Sequence, residues 1–160
     1  MKELVAIAEK IAARLIERRQ TVAVAESSTG GLISAALLAV PGASAYLLGS
    51  AVVYTRDARR ILMDIPDEAM KGIRSASEAY ANLLAGQIRQ RFSSDWGLSE
   101  TGATGPTGNR YGDAAGHSCL AVAGPEQSAI TLETGSADRL ANMHVFAATG
   151  LNLLLQNLSR

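Results

Sequence analysis

Thr21-Val22-Ala23-Val24-Ala25-Glu26-Ser27-Ser28-Thr29-Gly30-Gly31, continued by the run Leu32 to Val40, decides the fold class. Residues 21–26 are short, apolar and partly β-branched, which is the composition of a buried strand. Ser27 to Gly31 reads as a tight turn. Leu32 to Val40 reads as the helix that leaves it, ended by Pro41-Gly42. A strand, a glycine turn and a helix in that order open an α/β unit.

The pattern continues on both sides. Residues 3–18 carry Leu4, Ile7, Ala8, Ile11, Leu15 and Ile16 at helical spacing, opposite Glu9, Lys10, Arg14 and Glu17. Tyr46 to Tyr54 is apolar and β-rich, a second strand. Thr55 is placed to cap a helix to about Met63, with Asp57 in its first turn. Pro66 to Ile73 is a connector. Ser77 and Glu78 open a helix to about Phe92, and Trp96 to Glu100 is a short strand. Gly102 to Gly112 is a glycine-rich loop. His117 to Ala123 and Ala129 to Thr134 form a hairpin around Gly124-Pro125. A helix from about Asp138 to Leu158 closes the chain. The expected fold is α/β: a three-layer α/β/α sandwich with a mixed, partly parallel sheet, in a single domain over 1–160.

Composition narrows the function classes. Hydrophobic residues make up 48% of the 160, enough for a core. Fifteen basic and fifteen acidic residues cancel, which argues against nucleic-acid binding by phosphate neutralisation but not against one small anion. The single cysteine, Cys119, forms no disulfide within the chain, and no apolar run approaches a membrane span. The reading is a cytoplasmic protein without a membrane partner. His117, His144 and Cys119 are too few and too scattered for a metal site, and a packed Cys beside a hydrogen-bonded His explains the pair at 117 and 119 better. The leucines at 151, 153, 154, 155 and 158 cover more than one helical face, which predicts a homo-oligomer.

Three segments carry candidate chemistry. In the first, Ser28, Thr29, Gly30 and Gly31 lie where a helix start offers N–H groups and a positive dipole to an anion. The plainer reading is a helix cap and a tight turn. No Gly-Lys-Ser/Thr follows, so this is not a phosphate-binding P-loop. In the second, Ser44 sits in a loop, Tyr54 ends a strand and Arg59 lies in the next helix; a hydroxyl nucleophile needs such a neighbour to share its proton. Tyr54 as an interface or core-edge aromatic is the plainer account. In the third, five glycines between 101 and 116, with Pro106 among them, make a permissive binding loop whose charged side chains are Arg110 and Asp113. Either could reach a ligand or be solvated.

Taken together these segments resemble the CinA C-terminal domain family, the nicotinamide-nucleotide amidases, in its stand-alone form. Ala25-Glu26-Ser27-Ser28-Thr29-Gly30-Gly31 is similar to that family's Ala-Glu-Ser-Cys-Thr-Gly-Gly. Pro41-Gly42-Ala43-Ser44-Ala45-Tyr46, Val53-Tyr54-Thr55-Arg56-Asp57-Ala58-Arg59, Ser75-Ala76-Ser77-Glu78 and Thr101-Gly102-Ala103-Thr104-Gly105-Pro106 resemble further motifs in order and spacing. The resemblance implies hydrolysis of the carboxamide of nicotinamide mononucleotide to the nicotinate form and ammonia, with no metal or organic cofactor and a pyridine nucleotide as partner. It implies Ser44, Tyr54 and Arg59 as the catalytic group, with Ser28, Thr29, Gly30, Gly31, Gly102, Gly105, Pro106 and Arg110 around the substrate. The nucleophile stays open among Ser27, Ser28, Thr29 and Ser44. Arg59 stands where the family carries lysine, and arginine does not serve as a base. The alternative reading is therefore a nucleotide-binding relative that acts through a partner.

Overall fold

The computed structural model describes residues 1–160. Five strands form one sheet: β1 (Val22–Glu26), β2 (Leu47–Val52), β3 (Trp96–Ala103), β4 (His117–Ala123) and β5 (Ser128–Glu133), in the order β2-β1-β3-β4-β5. β1 pairs parallel with β2 and with β3, while β3–β4 and β4–β5 are antiparallel. Helices α1 (Lys2–Arg18), α2 (Leu32–Leu38) and α5 (Arg139–Asn157) pack on one face; α3 (Arg56–Met63) and α4 (Glu78–Phe92) cover the other. This is the expected α/β/α sandwich with a mixed sheet.

Alternation along the strands builds two unlike faces. Val22, Val24, Leu98, Leu120 and Val122 point into the larger core with α1, α2 and α5. Ala23, Ala25, Ala121 and Ala123 point to the other side. Small side chains there let α4 lie close to the sheet. A Cβ on Gly97 would stand 2.1 Å from the carbonyl oxygen of Ala85, and Ser99 Oγ donates to Ala81 O at 2.6 Å.

The expected caps are in place. Thr55 accepts from Ala58 N, Ser77 from Tyr80 N and Asp138 from Ala141 N. Three readings need correction. α2 ends at Leu38, two residues before Val40. β3 runs on to Ala103, because Gly102 and Ala103 pair with Ser118 and His117, so the glycine loop starts later than its composition suggested. The leucines at 151, 153, 154 and 158 are buried and Leu155 packs against them, all in the chain's own core, so they are not the residues that would meet another subunit.

Gly97→Ala should destabilise the domain by about 1–3 kcal/mol, because backbone rather than a flexible side chain blocks the new methyl. A thermal melt should show a fall of about 2–4 °C per kcal/mol. An unchanged midpoint would mean that α4 is not seated as described.

Candidate active site

The three parallel strands end together. In open α/β sheets, ligands lie outside the carboxyl ends of such strands, where connections leave in opposite directions. Here α2 leaves β1 on one face, and α3 and α4 follow β2 on the other. A cavity of about 610 Å³ opens there, lined by Ser27 after β1, Tyr54 and Thr55 after β2, and Thr101 and Gly102 at the end of β3. Its size suits a small organic ligand.

The turn between β1 and α2 is held by two buried carboxylates. Glu26 Oε2 accepts from Thr29 Oγ1 (2.7 Å), Gly31 N (3.0 Å) and Ile33 N (3.1 Å). Its Oε1 accepts from Ser34 N (2.8 Å) and from the Ser34 hydroxyl. Glu100, which is fully buried in β3, accepts from Ser27 N (3.1 Å), Thr29 N (2.9 Å), Ser28 Oγ (2.5 Å) and Ser118 Oγ (3.2 Å), and lies 3.0 Å from Thr29 Oγ1, whose one hydrogen it shares with Glu26. Burial pushes the Glu100 carboxyl above its ordinary value, and the hydrogen bonds from Ser28, Thr29 and Ser27 pull against that. Apart from that of Ser28, the N–H groups expected to receive a ligand's charge are therefore satisfied from within. The helix start carries its anion in the form of Glu26.

This arrangement sorts the hydroxyls. Ser28 and Thr29 turn inward to the carboxylates and are buried. Ser27 makes no side-chain hydrogen bond within the chain and lines the cavity. Ser44 lies in a 3-10 turn, Ala43–Ala45, ahead of β2, while Tyr54 follows β2. The strand between them sets the two on the order of 20 Å apart. The expected juxtaposition of Ser44 and Tyr54 is absent within one chain.

The opposite wall is cationic. Arg56, Arg59 and Arg110 line the cavity against a single carboxylate, Asp67. Asp67 accepts from both Arg56 and Arg59, and the Arg56 hydrogen bonds hold its carboxyl below the ordinary range. Arg59 is 7% exposed, and its Nε makes no hydrogen bond within the chain. Tyr54 Oη accepts from Arg139 Nη2 at 3.3 Å, and Arg139 Nη1 donates to Gly105 O at 2.5 Å.

Of the expected site residues, Tyr54, Arg59, Gly102 and Arg110 meet at the cavity. Gly30, Gly31, Gly105 and Pro106 do not line it. Gly30, at φ 62°, faces Met143 instead. Asp113 is neither solvated nor free for a ligand: it takes Arg74 and Asn109. His117 and Cys119 share a face as expected, their Nε2 and Sγ 3.6 Å apart. Reading the sequence missed Glu100, Asp67, Asn109, Tyr111 and Arg139 as parts of the site. An acid inside the otherwise apolar stretch from Trp96 was the available signal for Glu100.

The fold and the site define an α/β domain with a cationic cleft at the ends of its parallel strands. The chain belongs to the CinA C-terminal domain family, whose profile it matches over residues 4–158. A CinA-like protein of Gloeobacter violaceus is 40% identical over 131 residues, 81% of this chain and 31% of that protein. One of Acidobacterium capsulatum is 35% identical over 151 residues, 94% of this chain and 36% of that protein. The chain thus spans about a third of the length of these relatives. Among solved structures, the competence/damage inducible protein CihA from Agrobacterium tumefaciens superposes with a TM-score of 0.88 at 26% identity, covering 99% of this chain and 96% of that one. A CinA superfamily protein from Escherichia coli shares the fold, with a TM-score of 0.90 at 22% identity over 96% of this chain and 90% of its own. No helix is long and apolar enough to cross a membrane.

Glu100→Ala should cost about 1–3 kcal/mol for each buried donor left unmatched. Glu100→Gln keeps one acceptor oxygen and should lose less. Urea melts measure both. Equal stability of wild type and Glu100→Ala would remove the carboxylate from its anchoring role.

Proposed function

We propose that the domain is an amidohydrolase acting on the carboxamide of a nicotinamide-type mononucleotide, with Ser27 as the nucleophile. Membership of the CinA C-terminal domain family supports the reaction class. The observation that carries the residue assignment is the sorting of the four candidate hydroxyls: Ser28 and Thr29 turn inward and Ser44 lies at the far end of β2, which leaves Ser27 on the cavity lining with Tyr54 and Arg59.

In this reading Ser27 Oγ attacks the carboxamide carbon. Tyr54 takes the Ser27 proton as it gives its own to the departing nitrogen, so ammonia leaves and an acyl-serine remains. Water then attacks the ester along the same relay, yielding the carboxylate and restoring Ser27. The N–H of Ser28 makes no hydrogen bond within the chain. It follows the nucleophile directly, a suitable place for an oxyanion donor. Arg56 and Arg110 hold the phosphate. Arg59 is fixed as a cation and stabilises the developing negative charge; it does not accept the proton.

The arginine at 59 also favours a second reading, a nucleotide-binding relative without turnover. Ammonia release from nicotinamide mononucleotide separates the two. Ser27→Ala should lower turnover by at least about 10³-fold, while Ser44→Ala leaves it unchanged. Inactive Ser44→Ala with active Ser27→Ala would reverse the assignment. No release by wild type, together with tight binding of the mononucleotide, would favour the second reading. Arg110→Ala should raise KM about tenfold or more with kcat little changed, the loss of one charge-assisted contact.

A further inference from the structure

The cavity wall made by Asn109, Arg110 and Tyr111 is closed on itself through one carboxylate. Asp113 accepts from Arg74 Nη1 (2.5 Å) and Nη2 (3.0 Å) and from Asn109 Nδ2 (2.8 Å). Asn109 Oδ1 accepts from Tyr111 N (3.0 Å) and Asp113 N (3.1 Å). Arg74 lies over the Tyr111 ring, 5.4 Å from its centre. Movement of Asp113 would therefore move the wall.

His117 lies beneath this latch, 5% exposed, at the start of β4. Its Nε2 is 2.8 Å from Ala76 O, and its Nδ1 meets Glu133 Oε1. A carbonyl oxygen only accepts, so Nε2 carries a hydrogen. An ionised carboxylate only accepts, so Nδ1 carries one as well. Both contacts together require the imidazolium. Asp113 Oδ2 stands 3.7 Å from Nε2 and adds a second negative charge.

The surroundings of the ring are these. Glu133 reaches it from β5 and Asp113 from the loop. Cys119 Sγ lies 3.6 Å from Nε2 on β4 itself. Glu78, on α4, lies behind Thr131, whose hydroxyl it accepts at 2.7 Å. Arg74, ahead of α4, donates to Asp113 and also, at 3.3 Å, to Ala76 O, the carbonyl that His117 Nε2 meets. Two carboxylates face the ring directly, and one cation shares the Ala76 carbonyl with it. Burial alone lowers the imidazole pKa, but Glu133, the Ala76 carbonyl and Asp113 outweigh it and leave the group raised.

We infer that His117 is a proton-dependent positioning residue for the cavity: as the imidazolium it joins Glu133, Ala76 and Asp113, and so holds the 109–113 wall in place. Without its second proton the ring presents a lone pair to one of two acceptors, and that contact breaks. The sign follows from the raised value. The stabilisation is full below the ordinary histidine range, near pH 6.5, and is lost as pH rises through the folded-state value. The inference rests on the proposed function only where turnover is concerned, since the latch can be observed with no substrate present.

Nitrogen NMR of the wild-type imidazoles comes first. The ring of His117 should show both nitrogens protonated at pH 6, and a neutral ring there overturns the inference. Amide hydrogen exchange comes next, corrected for the intrinsic effect of pH. Protection of residues 109–113 should fall by about tenfold for each pH unit above the transition, while β3 and α4 keep theirs. His117→Gln should show the low protection at every pH. Equal protection of the segment across the transition in wild type would also overturn the inference. On nicotinamide mononucleotide, the same rise in pH should raise KM more than it lowers kcat. Exchange that follows His117, with no ammonia released at any pH, would uphold the latch and refute the amidase reading.

Discussion

Two buried carboxylates decide what the turn after β1 can do. Glu26 comes from the end of β1, and Glu100 from the middle of β3, more than seventy positions later in the chain. Between them they accept from the main-chain N–H groups of Ser27, Thr29, Gly31, Ile33 and Ser34. A buried charge is tolerable only when fully hydrogen-bonded, and here the turn supplies the donors. The exchange fixes both partners. The glycine turn is rigid, its helix dipole is already matched, and the side chains of 28 and 29 are drawn inward. Ser27 is left pointing at the cavity by default. The site follows from where two acids were buried.

The fold was legible because its signals are local. Thr55, Ser77 and Asp138 each stand before an apolar-periodic run, and each accepts a hydrogen bond from three residues ahead. Val22, Ala23, Val24 and Ala25 read as buried on both faces, and they are. Errors fell where a partner strand overrode composition. Gly102 and Ala103 look like loop, yet β4 passes close enough that a Cβ on Gly102 would stand 2.6 Å from His117 O. Glycine is required there by the approach of a neighbouring backbone, not by a turn. The leucines of α5 suggested a second face to cover, but α1, α2 and the sheet already take up those side chains.

The site was less legible, for a physical reason. Tyr54, Arg59, Gly102 and Arg110 stand in motifs and could be picked out singly. Their roles depend on contacts that no local pattern records. Arg74 meets Asp113 across thirty-nine positions and Tyr54 meets Arg139 across eighty-five. Ser44 and Tyr54 are only ten positions apart. A six-residue strand lies between them, and an extended strand is the arrangement that separates its ends most.

The wall opposite Ser27 limits what can occupy the cavity. Three guanidinium groups face one carboxylate, so the lining keeps an excess of two positive charges. Arg56 and Arg59 share Asp67, and neither neutralises the other's field. For Arg59 the matter is sharper, because it is buried and its Nε–H has no acceptor in the chain. A neutral guest would leave that charge as costly as before, whereas an anionic one adds an opposite charge where screening by water is weak. A lysine at this position would offer a point charge on a narrower stem. It could not present the planar fork that engages Asp67 with one edge and leaves another edge free. The arginine therefore does more than preserve a charge. It ties the cavity wall to the turn carrying Asp67 and orients the remaining donor, and in doing so it gives up the proton-accepting chemistry that a lysine could supply.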